Sequence, residues 1–77
     1  IMPISLLDVH SRLISEGIVS GEASANSTLV YVIKWMEGAA FDFEKSAVKV
    51  NRARLRKLGL DIAKPFQGQV FVSSQSN

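Results

Sequence analysis

Residues 46–58 read SAVKVNRARLRKL, and Gly59 follows them. This stretch decides the fold, because its residue types sort onto two sides at the period of an α-helix. At about 100° per residue, Ala47, Val48, Asn51, Leu55 and Leu58 share one side. Lys49, Arg52, Ala53, Arg56 and Lys57 fall opposite, with Val50 and Arg54 beyond them. Ser46 is a natural N-cap and Gly59 a natural stop. The helix is therefore predicted to turn one stripe into a core and a basic stripe outward. Asn51 falls in the inward stripe, so it is expected to be a buried hydrogen-bonding residue. Ala53, small and central in the basic stripe, would let the helix approach another surface closely.

Upstream, residues 28–37 (TLVYVIKWME) predict a second helix. Leu29, Val32, Ile33 and Met36 make one side of it, and Val30 and Trp35 widen that side nearly all round. The run Val30-Tyr31-Val32-Ile33 also suits a buried strand. The length of the segment, a cap at Asn26 or Ser27 and a stop at Gly38 favour the helix. Tyr31 and Trp35, four residues apart, are expected to touch. Residues 39–45 read as a short connection whose Phe41 and Phe43 plug the core. Asp42 and Glu44 alternate with them but have no third metal ligand near in sequence. Glu44 is instead placed to favour the start of the basic helix.

Residues 18–26 are small and polar and read as a loop. Before them, residues 4–15 predict an amphipathic helix, with Leu6, Val9 and Leu13 inward and Leu7 and Ile14 widening the stripe. Ser5 and Asp8 have the spacing of a capping box, and Gly17 ends the helix. His10 has no partner that would orient it as a base, so a packing or surface role is expected. Downstream, residues 60–65 read as an extended exit stiffened by Pro65. Residues 66–72 are predicted to form one short strand, which needs a partner from another chain or from a segment outside this sequence. Residues 73–77 are a polar tail. The expected fold is mainly α: a single small three-helix, helix-turn-helix-like domain over residues 1–77. Its core spans about 27–60, and the C-terminal extension 61–77 carries the short strand.

Composition narrows the function. At 77 residues the chain has room for one small core. The absence of cysteine removes disulfides, thiolate metal sites and thiol catalysis, and the single histidine removes a His-rich metal site. The longest apolar run, Leu29 to Ile33, is far short of the ~20 residues of a membrane-spanning helix. Ile1-Met2-Pro3 does not open a signal peptide, and a start on Ile reads as a fragment or as a residue added ahead of Met2. A cytoplasmic protein is expected. With no nucleophile–base pair, no glycine-rich phosphate loop and no ligand cluster, neither a catalytic residue nor a metal, cofactor or small-molecule substrate is expected. An enzyme is not anticipated.

Charge is sharply divided. Residues 1–44 carry six acidic side chains against Arg12 and Lys34, whereas residues 45–77 carry seven basic ones against Asp61 alone. Such asymmetry suits phosphate or an acidic protein face. A helix, a connection and then a basic helix outline a helix-turn-helix. The connection, residues 38–45, is longer than the usual three or four residues. On this reading Lys49, Arg52, Arg56 and Lys57 contact DNA, with Lys45 and Arg54 at the margins. The competing reading is an assembly module, a homodimer without direct nucleic-acid contact. There, one copy's acidic half docks on another's basic helix, and residues 66–72 pair across a two-fold axis.

Two stretches, YVIKWMEG at 31–38 and SAVKVNRARLRKLGLDIAKP at 46–65, resemble the C-terminal region of filamentous-phage rolling-circle replication initiators, the gene II and gene X protein family. Trp35, Gly38, Arg52, Arg54, Leu55, Gly59, Leu60, Asp61, Ile62 and Pro65 carry the resemblance. It implies a DNA-binding or regulatory C-terminal module acting in the bacterial host cell. The parent protein would nick and rejoin one strand of the phage origin through a tyrosine in an N-terminal nuclease domain outside these residues. Tyr31, inside an apolar helix with no metal ligands beside it, does not match that nucleophile. The resemblance also implies that the C-terminal piece is made separately from an internal start, with which Met2 is compatible.

Overall fold

The computed structural model describes residues 3–72. In chain order they form β1 (Ile4–Ser5), α1 (Leu6–Ser15), α2 (Glu22–Met36), α3 (Ser46–Arg56) and β2 (Val70–Phe71). The fold is mainly α, with three helices and a short C-terminal strand, as the sequence predicts. Ile1, Met2 and the polar tail at 73–77 lie outside the described residues.

Ser5 caps α1 as its spacing to Asp8 requires: the Asp8 backbone N–H donates to Ser5 Oγ at 3.1 Å. The helix starts at Leu6 rather than residue 4, because Ile4 and Ser5 are extended and belong to a strand. Val9 and Leu13 are fully buried, but Leu7 and Ile14, expected to widen the buried stripe, are exposed. Within α1 only a narrow side meets neighbours, chiefly α2 and β1.

Helix α2 corrects the sequence reading most. It begins at Glu22, so residues 22–26 are helical and not loop, and neither Asn26 nor Ser27 is a cap. Gly21 is the N-cap, and Ser27 Oγ donates within the helix to the Ala23 carbonyl at 3.1 Å. The buried side is Ala25, Thr28, Val32 and Trp35, rotated away from the expected Leu29–Val32–Ile33–Met36 stripe. Leu29 and Met36 are half-buried, while Ile33 and Val30 face out. Small and hydroxylated residues at 25 and 28 allow close packing, and their weak hydrophobicity hides the true stripe from a reading by apolar periodicity.

Tyr31 and Trp35 each pair with another ring. Tyr31 stacks on Phe41 with ring centroids 6.0 Å apart, and Phe41 in turn lies 6.0 Å from Phe43. Trp35 meets Phe66 edge-on at 5.1 Å and donates its indole N–H to the Lys64 carbonyl at 2.7 Å. Phe41 and Phe43 pack against the core as plugs, as expected.

Helix α3 buries Val48 and Asn51 in its first turns and Leu55 near its end, and Leu58 follows beneath the exit. Ala47, at the edge of the inward stripe, is exposed. Ser46 is the first helical residue and not the cap; Lys45 holds that position without a side-chain bond. The preceding turn is shaped by Asp42, which accepts the Glu44 N–H at Oδ1 (3.0 Å) and the Lys45 N–H at its carbonyl (3.1 Å). Gly59, at φ 85°, ends the helix as predicted. Its N–H reaches the Arg56 carbonyl and the Leu60 N–H the Leu55 carbonyl, both at 3.0 Å, the paired bonds of a Schellman turn.

The strand at 66–72 does not await another chain. Its ordered pairs are Ile4 with Val70 and Ser5 with Phe71, in a parallel two-stranded ladder within the same chain. The three helices supply the crossover that a parallel pair needs. Residues 60–72 thus fold back over the helices, burying Leu60, Ile62 and Val70 and resting Phe66 on the core. Helix α2 packs against both α1 and α3. No helix among the described residues is long and apolar enough to cross a membrane.

Candidate nucleic-acid interface

What α3 shows to solvent depends on what fixes its rotation. Its apolar anchors would tolerate some turning about the axis; its buried polar group does not. Thr28 Oγ1, on α2, donates to Asn51 Oδ1 at 2.6 Å, and Asn51 Nδ2 donates to the Ala47 carbonyl at 2.7 Å. Arg54 Nη1 adds a bond to Thr28 Oγ1 at 3.2 Å. No buried side-chain nitrogen or oxygen among the described residues lacks a partner. Turning α3 would strand these groups, at about 1–3 kcal/mol for each one left unsatisfied. Asn51 is the buried hydrogen-bonding residue that its position predicts.

With the inner side fixed, Ser46, Lys49, Val50, Ala53, Arg56 and Lys57 are exposed. All six lie within about 60° of Ala53 around the helix axis. Ser46 and Ala53 form the low centre of this side. Lys49 and Arg56 stand on one flank, and Lys57 and Val50 on the other.

The six cations expected at the interface divide into two groups. Arg52 is committed to the chain's own exit segment. Its Nε donates to Asp61 Oδ1 at 2.9 Å and its Nη2 to Asp61 Oδ2 at 3.3 Å. The guanidinium carbon also lies 5.8 Å from the Phe43 ring centre. The Arg52 hydrogen bonds hold the Asp61 carboxyl below the usual carboxylate range, against the opposing effect of burial. A bond from the Ala63 N–H at 2.9 Å assists. The same contact raises the Arg52 guanidinium. Arg54 is half-buried and bonded to Thr28.

Lys45, Lys49, Arg56 and Lys57 are exposed and make no side-chain hydrogen bond or ion pair among the described residues. The acidic front half does not cover them. Its ion pair is internal to the first helix and its cap, Arg12 Nε to Glu16 Oε2 at 2.7 Å. The sequence placed Arg52 among the outward cations because its tether, Asp61, lies on another element, and the tether of the marginal Arg54, Thr28, does too. The one available signal was an acid, Asp61, standing alone in a basic segment.

A cleft of about 380 Å³ opens beside Ile4, Trp35, Leu58, Asp61, Lys64 and Gln69. Its carboxylate is already held by Arg52, so it offers no acid–base pair.

The family described as the C-terminal region of the replication-associated gene II protein matches residues 13–73 of this chain. The replication-associated gene II protein of Escherichia phage If1 is 47% identical over 55 residues. That match covers 71% of this chain and 17% of the phage protein's length. No solved structure matches. The matched region contains α2, α3 and β2 entire, and agrees with the resemblance carried by residues 31–38 and 46–65.

Proposed function

This chain belongs to the C-terminal family of the gene II replication-associated proteins of phages, and on that footing we propose that it binds DNA through the outer side of α3. It would act as the C-terminal module of a rolling-circle initiator in the host cytoplasm, with strand nicking left to the rest of the parent protein. One observation carries the reading: Lys49, Arg56 and Lys57 stand together on the solvent side of a helix, engaged in no ion pair among the described residues. Cations left unpaired on one rigid rod form a footprint for phosphate.

The connection between α2 and α3, residues 37–45, is longer than a helix-turn-helix turn, and Asp42 and Glu44 lie exposed within it. Those carboxylates repel phosphate at the start of α3. The part of α3 from Lys49 onward therefore leads into the nucleic acid.

The test is a salt titration. Each phosphate contact on a duplex contributes about −0.9 to the slope of log affinity against log salt. Binding that ignores salt, or no binding at low salt to duplex or single strand, overturns the proposal. A second reading, self-association, has its own support in Val30 and Ile33, one turn apart and exposed on α2. Light scattering across a concentration series separates the two: a mass that stays at one chain removes self-association.

A further inference from the structure

We propose that Val50 reads the C5-methyl group of thymine in the major groove of duplex DNA, an inference that rests on α3 being the DNA-facing helix. Val50 retains 48% of its surface exposed. It sits on the same side of α3 as Lys57, with Lys49 and Arg56 across the low centre formed by Ser46 and Ala53. A branched apolar side chain flanked by cations suits a partner that is anionic overall and apolar at one point.

A duplex offers that combination. Its phosphates line both edges of the major groove, and the one apolar group on the groove floor is the thymine methyl. Lys49 and Arg56 on one flank and Lys57 on the other face the two phosphate rims. The short side chains of Ser46 and Ala53 let the rod come close, so that Val50, about 60° from Ala53 on the Lys57 flank, meets the edge of the groove floor while the longer cationic side chains reach past it to the rims. Valine is stiff at χ1 in a helix, so the contact costs little side-chain freedom.

Other occupants fit less well. Single-stranded DNA is held by stacking bases on aromatic rings, and α3, SAVKVNRARLR, has none. A lipid surface needs a broad apolar face, which Val50 and Ala53 do not make.

The experiment compares a thymine-containing duplex with the same duplex carrying deoxyuridine at every thymine, which removes the methyl and keeps charge and pairing. The whole chain is titrated with each at low salt. The wild type is expected to lose about fourfold in affinity for each methyl it contacts. Val50→Ala is expected to bind both duplexes equally. Val50→Thr, with its branched shape kept, serves as a second variant and should retain part of the preference. Lys49→Ala should weaken both duplexes alike. Equal binding of both duplexes by the wild type overturns the methyl contact and leaves DNA binding standing. An undiminished thymine preference in both Val50 variants, or tighter binding to single strand than to duplex, also overturns it. Failure to bind either duplex overturns the DNA-binding reading itself.

Discussion

Arg52 and Arg56 lie one turn apart on α3 and look interchangeable in the sequence, yet the fold uses them differently. Arg52 is half-buried, bonded through two nitrogens to Asp61 and set against Phe43. Arg56 is exposed and makes no ion pair among the described residues. The difference lies in what each meets: Arg52 is bonded to the returning segment 60–65, and Arg56 is not. A count of basic residues thus overstates the surface available to a polyanion. The cations that hold α3 in place and those that α3 displays are separate sets, and the contrast is open to test.

The largest effect should come from the support beneath both sets. Leu55 is fully buried near the end of α3. Leu55→Ala is expected to cost about 2–5 kcal/mol, a large share of a small domain's stability, as read by urea unfolding. If stability holds, α3 is not seated as described. Next is Thr28→Val, which keeps the shape and deletes the hydroxyl that bonds Asn51 and Arg54. It leaves a buried amide oxygen short of its donor, for about 1–3 kcal/mol. A neutral outcome would show that the polar link between α2 and α3 does not fix the helix's rotation.

The contrast itself is sharpened by a crossed pair of variants. Lys49→Ala/Arg56→Ala/Lys57→Ala should leave stability within about 0.5 kcal/mol of wild type. It should flatten the salt slope of duplex binding by about 2.7 if all three contact phosphate. Arg52→Ala should do the reverse, lowering the melting temperature and leaving the slope of the folded protein unchanged. If Arg52→Ala flattens the slope while stability is untouched, the division of the helix into holding and displaying cations is wrong.

How much of this was legible beforehand follows from distance along the chain. The inward stripe of α3, the Ser5–Asp8 cap and the Gly59 stop are local patterns, complete within a few residues, and the sequence reveals them. The true side of α2 was hidden because Ala25 and Thr28 bury themselves without being strongly apolar. The Arg52–Asp61 and Trp35–Lys64 bonds need the exit segment to fold back, which no helical periodicity encodes. The β1–β2 ladder joins the two ends of the described chain, and Ile4 and Ser5 look like a first helical turn when read alone. Of the candidate interface, the basic side was readable from spacing. The withdrawal of Arg52 and Arg54 from it was not, since each is withdrawn by a residue on another element.

The smallest effect concerns acid. In the folded chain the Asp61 carboxyl titrates below the ordinary range, chiefly because Arg52 donates to it, and also because Ala63 donates to it and the Arg56 charge stands nearby. In the unfolded chain those donors are gone, and the carboxyl returns to about 3.9. A group whose folded pKa is depressed contributes its full stability above the unfolded value and loses it as pH falls through the folded one. The Arg52–Asp61 contact therefore supports the fold at neutral pH and fades below about pH 4. Asp61→Asn removes the titrating group while keeping its size. The melting temperature of the variant should lie below wild type at pH 7, and the gap should close on acidification, because the remaining carboxylates titrate alike in both proteins. A gap of constant size from pH 7 to pH 3 would mean that the Asp61 charge does not hold Arg52. The boundary between holding and displaying cations would then have to be redrawn with Arg52 on the outer side.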